Sequence, residues 1–214
     1  MGTLILVRHG QSLWNVENRF TGWTDVPLTE QGAKDAVLCG KSLKDFTFDN
    51  AFVSALSRSQ LTLKGILEGH GQTNVPTVAD KALNERHYGD LQGLNKAEMM
   101  KKYGEEQVHL WRRSFSTRPP HGESIEDCVK RVWPYFQEHI QPLLKEGKTV
   151  IVAAHGNSLR PIMMHLDNLD EETTATLESP FCTPYSYWFD GETVTKKEVR
   201  KVEGMEQKST AKIV

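Results

Sequence analysis

Leu4-Ile5-Leu6-Val7-Arg8-His9-Gly10 is the stretch on which the fold of this chain turns. An uninterrupted apolar run this short, rich in β-branched residues, predicts a strand buried on both faces, as at the centre of a parallel sheet. The polar triplet then falls at the strand's carboxyl end, where open α/β sheets bind their ligands. A histidine beside a permanently charged guanidinium suits nucleophilic attack on a dianion, and a following glycine would let the backbone approach that ligand closely. His9 is therefore the candidate nucleophile, with phosphate as its target. Arg-His-Gly alone is a short match, and a strand end that merely carries two polar residues explains it as well.

A second stretch shifts that balance. Thr149-Val150-Ile151-Val152-Ala153-Ala154 is another buried-strand run, ending in His155-Gly156-Asn157, and helical spacing follows over Ser158 to Leu166. The same order of strand, His-Gly and helix occurs near both ends of the chain. Between them the pattern alternates. Thr29 is a candidate N-cap with Glu30 in the first turn, and Asn50-Ala51-Phe52-Val53 reads as a strand followed by a helix to about Leu67. A short strand near Pro76 to Ala79 completes another βα unit. Helices are predicted over Lys96 to Tyr103 and Gln107 to Trp111, and from Ser124, with Asp127 in a capping arrangement, to about Lys145, kinked or divided at Pro134. A helix over Glu171 to Leu177 and a hairpin around Asp190-Gly191 close the pattern. The fold class is α/β: a mostly parallel sheet sandwiched by helices, in one domain, with a mobile tail from about residue 203.

The totals fit that picture. The chain has 214 residues, 38% apolar and 25% charged, with net charge -2. Such a chain can bury a core without staples, and its charge balance gives no strong field for nucleic acid. No apolar run approaches the ~18 residues that span a bilayer, and the N-terminus enters a strand with no basic n-region. A cytoplasmic address with no membrane partner is expected. Cys39, Cys128 and Cys182 form no C-x-x-C pair and the eight histidines show no H-E-x-x-H spacing, so three reduced thiols and a metal-free mechanism are expected.

Two polar stretches remain. Gln11 to Trp23 is too irregular for a helix of any length and carries Ser12, Asn15, Arg19, Thr21 and Gly22, donors of the kind that hold phosphate oxygens, or an ordinary surface loop. Asn84 to Leu94 is a dense polar loop with two glycines; long loops inside compact domains are functional or disordered, and its aromatic content argues against disorder. If the strand ends are adjacent, His9, His155, Arg8 and Arg58 share one pocket, equipped with the positioning cations that phosphoryl transfer needs. A carboxyl group must still protonate the leaving oxygen. Glu85 is the candidate, although a Glu-Arg pair is commonly a surface ion pair.

The motifs Leu6-Val7-Arg8-His9-Gly10, Asn18-Arg19-Phe20-Thr21-Gly22-Trp23, Glu85-Arg86-His87-Tyr88-Gly89 with Leu91 to Lys96, Trp111-Arg112-Arg113-Ser114 and Ala154-His155-Gly156-Asn157-Ser158-Leu159-Arg160 resemble those of the cofactor-dependent phosphoglycerate mutases, in the histidine phosphatase superfamily. The resemblance runs from about residue 3 to 170. It implies the histidine phosphatase fold and interconversion of 3-phosphoglycerate and 2-phosphoglycerate, in glycolysis and gluconeogenesis. The phosphohistidine would form at His9, primed by 2,3-bisphosphoglycerate. Glu85 matches the family's proton donor and acceptor, and His155 its transition-state stabiliser. Arg8, His9, Gly10, Gln11, Ser12, Leu13, Trp14, Asn15, Thr21, Gly22 and Arg58 match positions that contact phosphate or carboxylate. So do Glu85, Arg86, His87, Tyr88, Lys96, Arg112, Arg113, Gly156 and Asn157. A small molecule carrying phosphate and carboxylate needs cations on two sides, and Lys96, Arg112 and Arg113 would supply the far one.

Two departures stand out. Long members carry a proline-rich extension where this chain has only Phe115 to Glu123, so a monomer or weak homo-oligomer is expected. The family's Pro-Thr-Gly motif is replaced by Glu178-Ser179-Pro180-Phe181-Cys182-Thr183, and no contact is carried onto it. The alternatives are a phosphatase of the same superfamily acting on a sugar phosphate or bisphosphate, and a non-catalytic relative that binds phosphometabolites.

Overall fold

A computed structural model describes residues 1–205. The chain runs β1 (Gly2–Arg8), α1 (Leu13–Val16), α2 (Glu30–Ser42), β2 (Asn50–Ser54), α3 (Ser57–His70) and β3 (Thr77–Asp80), then α4 (Lys96–Tyr103), α5 (Glu105–Arg113), α6 (Ile125–Tyr135) and α7 (Gln141–Lys145). β4 (Thr149–Ala154), α8 (Gly156–Leu166), α9 (Glu171–Thr176), β5 (Pro184–Asp190) and β6 (Thr193–Val199) follow. The strands form one six-stranded sheet in the order β3-β2-β4-β1-β5-β6. β1 to β4 pair in parallel, and β5 and β6 add an antiparallel edge.

The apolar runs of β1 and β4 are continuous because both faces are covered. Leu4, Leu6, Val150 and Val152 meet Val132, Phe136, Leu159 and Ile162 on one side, while Ile5, Val7, Ile151 and Ala153 meet Ala36, Cys39, Leu63 and Ile66 on the other. All these side chains are at most 3% exposed. Residues one apart on a strand point to opposite faces, so a strand with two buried faces has no place for polar alternation. A third, smaller cluster of Phe20, Leu91, Met99, Val108 and Trp111 joins α4 and α5 to the loops above the sheet.

Several elements differ in detail from their sequence patterns. The helix after β4 begins at Gly156, two residues early, with His155 at its N-cap and the Ser158 hydroxyl accepting the His155 N–H. The segment around Pro134 is divided, as expected, but the break is a π-helical turn, Phe136–Ile140, ahead of Pro142. Pro142 has no N–H to give to the carbonyl four residues back, so the ladder slips by one residue there. In the irregular Gln11 to Trp23 stretch, α1 is a single helical turn, closed by mutual Ser12 and Asn15 bonds. The three cysteines are buried and unpaired. At the carboxyl end Val202 is buried and Met205 packs on the α2–α3 side of the core. The expectation of a mobile tail from about 203 falls, beyond residue 205, outside the described residues.

Candidate active site

The site follows from one register. β1 and β4 pair with Arg8 opposite Ala154, so the next residue on each strand is a histidine, and the His9 N–H donates to the Ala154 carbonyl at 2.9 Å. The two imidazole centroids are 4.9 Å apart with the rings inclined at 56°. His9 Nδ1 lies 2.7 Å from the Gly10 carbonyl oxygen, which can only accept, so Nδ1 carries the proton and the lone pair resides on Nε2. His155 Nε2 lies 2.7 Å from Ser54 Oγ, at the end of β2, and Ser54 Oγ is in turn 2.6 Å from Ser59 Oγ. Neither serine carried a signal in the sequence, because a hydroxyl at a strand end is commonplace until a ring is found against it.

Two guanidinium groups, Arg58 buried and Arg8 half-buried, stand beside these rings. Arg58 is fully buried and donates to the Thr24 and Gly22 carbonyls, at 3.0 and 2.7 Å. Arg8 donates to the Ser179 carbonyl at 2.8 Å. Among the described residues, Arg8 Nε, Arg58 Nε and His155 Nδ1 are buried nitrogens with no hydrogen-bond partner. A buried donor left unpaired costs about 1–3 kcal/mol, more when it is charged, so several in one place suit the site to an anionic acceptor. Burial, followed by the charges of Arg58 and Arg8, holds His9 well below its ordinary pKa, and burial, Arg58, His9 and Arg8 do the same to His155. Both rings are neutral at pH 7. Burial brings Arg58 down to about 10, with Glu85 and Asp25 opposing. His9, Glu85 and His155 each offer one ligand atom within 4.8 Å of the others, a possible metal triad by distance. The neighbouring guanidinium charges favour an anion there over a cation.

Glu85 closes this arrangement from the loop after β3. Its Oε1 accepts from the Arg86 N–H at 2.9 Å and from the Asn157 N–H, in the first turn of α8, at 3.1 Å. The Glu85 carbonyl accepts from Trp23 Nε1 at 2.6 Å. Burial, opposed by Tyr88 and joined by the charges of Arg112, Arg8 and Arg113, brings Lys96 down to about 8. Lys96, Arg112 and Arg113, from α4 and α5, line one cleft together with Gln11, Asn15, Thr21, Gly22, Arg8, Tyr88, Gly156 and Asn157; its volume is ≈ 510 Å³.

Other residues singled out in the sequence lie elsewhere. Gly10 is needed for packing: its N–H is spent on Thr62 Oγ1 at 2.9 Å, and a Cβ there would stand 2.4 Å from the Gly32 carbonyl of α2, so the close backbone approach is to a helix and not to a ligand. Ser12 is fully buried and spends its N–H and hydroxyl on Asn15 Oδ1, while Asn15 itself lines the cleft. Leu13 is 45% exposed, and neither it nor Trp14, which packs beside Gly93, is on the cleft wall. Arg86 is buried under the Tyr88 ring, 4.5 Å from its centroid, and reaches the Arg112 carbonyl at 3.3 Å. His87 turns its ring to Trp23. The cleft also contains residues to which no role was attached: Arg160, Glu178, Ser179 and Phe181. Arg160 ties the Asn157 side chain to the Leu177 carbonyl, and Arg113 pairs with Glu178.

Residues 4–200 match the family model of the histidine phosphatase superfamily (branch 1). The chain is 54% identical over 200 residues to a 2,3-bisphosphoglycerate-dependent phosphoglycerate mutase of Mesorhizobium japonicum, covering 92% of this chain and 97% of that one. It is 54% identical over 187 residues to 2,3-bisphosphoglycerate-dependent phosphoglycerate mutase 2 of Gloeobacter violaceus, covering 87% and 85%. Among solved structures it superposes on Bacillus stearothermophilus YhfR with a TM-score of 0.80 at 30% identity, over 94% of this chain and 96% of that one. The paired strand-end histidines thus sit in a chain that belongs to the histidine phosphatase superfamily, branch 1, and within it to the 2,3-bisphosphoglycerate-dependent phosphoglycerate mutases.

Proposed function

We propose that this chain interconverts 3-phosphoglycerate and 2-phosphoglycerate through a phosphohistidine at His9, primed by 2,3-bisphosphoglycerate. The observation that carries it is the set of unspent buried donors, Arg8 Nε, Arg58 Nε and His155 Nδ1, around an imidazole whose Nδ1 is tied to the Gly10 carbonyl. 2,3-Bisphosphoglycerate supplies the phosphoryl group that primes the enzyme. Nε2 of His9 attacks phosphorus in line, the bond from phosphorus to the ester oxygen breaks, and the Glu85 carboxyl gives its proton to that leaving oxygen. In the return step the other hydroxyl attacks phosphorus, Glu85 takes its proton, and the electron pair of the N–P bond returns to Nε2. Arg8 and Arg58 spend their remaining N–H donors on the equatorial oxygens. His155, neutral in the free cleft, donates from Nδ1 once Ser54 Oγ–H serves its Nε2. Lys96, Arg112 and Arg113 hold the carboxylate and the phosphate that is not in transit.

The same reading has the protein acting in the cytoplasm on small anions, as a monomer or weak homo-oligomer, with no nucleic-acid partner, no membrane partner and no metal. Among the described residues no helix is long and apolar enough to cross a membrane. The test is 3-phosphoglycerate turnover with and without 2,3-bisphosphoglycerate, chelator present throughout, for the wild type and His9→Ala. Turnover should need the bisphosphate, ignore the chelator and vanish in the variant, together with acid-labile labelling of the enzyme. A His9→Ala protein that still turns over would overturn the assignment.

A further inference from the structure

We propose that Phe181 decides whether the phosphoryl group on His9 passes to a phosphoglycerate hydroxyl or is lost to water. The inference rests on the phosphohistidine reading above and adds the residue that keeps water from the intermediate.

Phe181 comes from the Glu178 to Thr183 segment that links α9 to β5. Its ring centroid is 5.8 Å from that of His9, inclined at 49°, and Arg8 Cζ lies 4.1 Å from the Phe181 centroid. The His9 imidazole therefore has two ring neighbours, His155 and Phe181, and Phe181 also forms part of the cleft wall. A ring face laid on a guanidinium takes the place of the water that would otherwise solvate that face. Water held off there is water held off from the phosphorus that Arg8 would grip.

The backbone around Phe181 is fixed at some expense. Cys182, fully buried, has φ 50°, a left-handed conformation rare for a side chain with a Cβ. Such a conformation persists only where its surroundings impose it, and clusters where strain serves a site. Here the Cys182 N–H donates to the Arg8 carbonyl at 3.0 Å while the Arg8 guanidinium donates to the Ser179 carbonyl at 2.8 Å. Arg8 thus clasps the segment on both sides of Phe181 and sets the ring against itself.

The two fates of the phosphohistidine differ only in the attacking oxygen. In transfer, a phosphoglycerate hydroxyl oxygen bonds to phosphorus, the N–P bond breaks with its pair returning to Nε2, and Glu85 accepts the hydroxyl proton. In loss, a water oxygen makes the same attack, the same bond breaks, Glu85 accepts one water proton, and the product is inorganic phosphate. Neither needs a further reactant. Selection lies in which nucleophile reaches phosphorus, which is a matter of occluded volume.

The experiment labels the enzyme with 2,3-bisphosphoglycerate, removes the excess, and follows inorganic phosphate release with no acceptor present, then its partition against phosphoglycerate products at saturating 3-phosphoglycerate. Phe181→Ala should release phosphate about tenfold faster than wild type, a barrier change the size of one lost shielding contact, and should shift the partition toward phosphate. Phe181→Leu, which keeps apolar bulk, should stay within about twofold of wild type by the same relation. Phe181→Val serves as the opened variant if the alanine protein does not fold. An opened variant releasing phosphate at the wild-type rate overturns the proposal, as does a leucine variant as fast as alanine. A wild type that takes no label at His9 overturns the mutase reading and this inference together, and is recognised before any variant is compared.

Discussion

At the scale of single residues, the two imidazoles couple the site to pH in a direction their chemistry fixes. Both are neutral and buried, their pKa values depressed first by burial and then by Arg58, with Arg8 adding to the effect on both and His9 to that on His155. Unfolded, each would titrate near pH 6.5. Below that pH the unfolded chain takes up protons that the folded site refuses, so stability is whole above about pH 6.5 and falls on acidification until the folded values are reached. Each histidine contributes at most about 1.4 kcal/mol per pH unit to that slope. Thermal melts from pH 7.5 to 5.5 should show the midpoint falling toward acid, and a His155→Asn protein should show a shallower fall. A midpoint that rose toward acid would mean that the rings are charged in the fold. His9, His155 and Glu85 could all be picked out from sequence. Ser54 and Phe181 could not, since each matters only through a ring or a cation that tertiary structure sets against it.

At the scale of elements, the loop that carries Glu85 is braced by Arg131 of α6. Arg131 Nη1 donates to the carbonyls of Ala82 at 2.7 Å and Asn84 at 3.2 Å, and its Nε and Nη2 grip the Glu123 carboxylate at 3.1 and 2.8 Å. Glu123 in turn accepts the His87 N–H at 2.8 Å, and its own N–H donates to the His87 carbonyl at 2.8 Å. The short Phe115 to Glu123 connection is thereby tied to the backbone that carries Glu85. Gly89 has to be glycine for this, since its φ is 56° and a Cβ would fall 1.9 Å from the Pro120 carbonyl. Arg131→Met should cost about 2–4 kcal/mol, because it strands a half-buried carboxylate and several carbonyls. It should also lower kcat about 100-fold with a smaller change in KM, the penalty for a displacement of order 1 Å in a group that acts in the transition state. Kinetics on a variant confirmed to be folded by circular dichroism would check both, and an unchanged kcat would show that Glu85 holds its place without α6.

At the scale of the whole molecule, the sheet brings the strand-end histidines together, and α4 and α5 carry further cations of the cleft. Parallel pairing of β1 with β4 brings the two histidines together, whereas Lys96, Arg112 and Arg113 ride on helices joined to the sheet by loops and by the separate Phe20, Leu91 and Trp111 cluster. The connection between α5 and α6 is tied to the Glu85 loop by the paired bonds between Glu123 and the His87 backbone. Sedimentation velocity over a hundredfold range of protein concentration should therefore give a monomer or a weakly associating species. A tetramer independent of concentration would show that another face carries the assembly.

The sequence by itself determined the elements and the chemistry-bearing types. Unbroken apolar runs cannot be solvent-facing strands, and an Arg-His-Gly at the end of one and a His-Gly at the end of another had to lie at a sheet's carboxyl edge. What it could not determine was which oxygen each nitrogen meets. Gly10 lies against a helix, Arg86 lies under Tyr88, Leu13 faces solvent and Phe181 covers a guanidinium, because distance across the fold, not order along the chain, sets those contacts. The apolar periodicity of each strand is local, so it can be read from residues; which strands pair in which register and which loops meet depend on how the whole core closes, and only the folded chain fixes them.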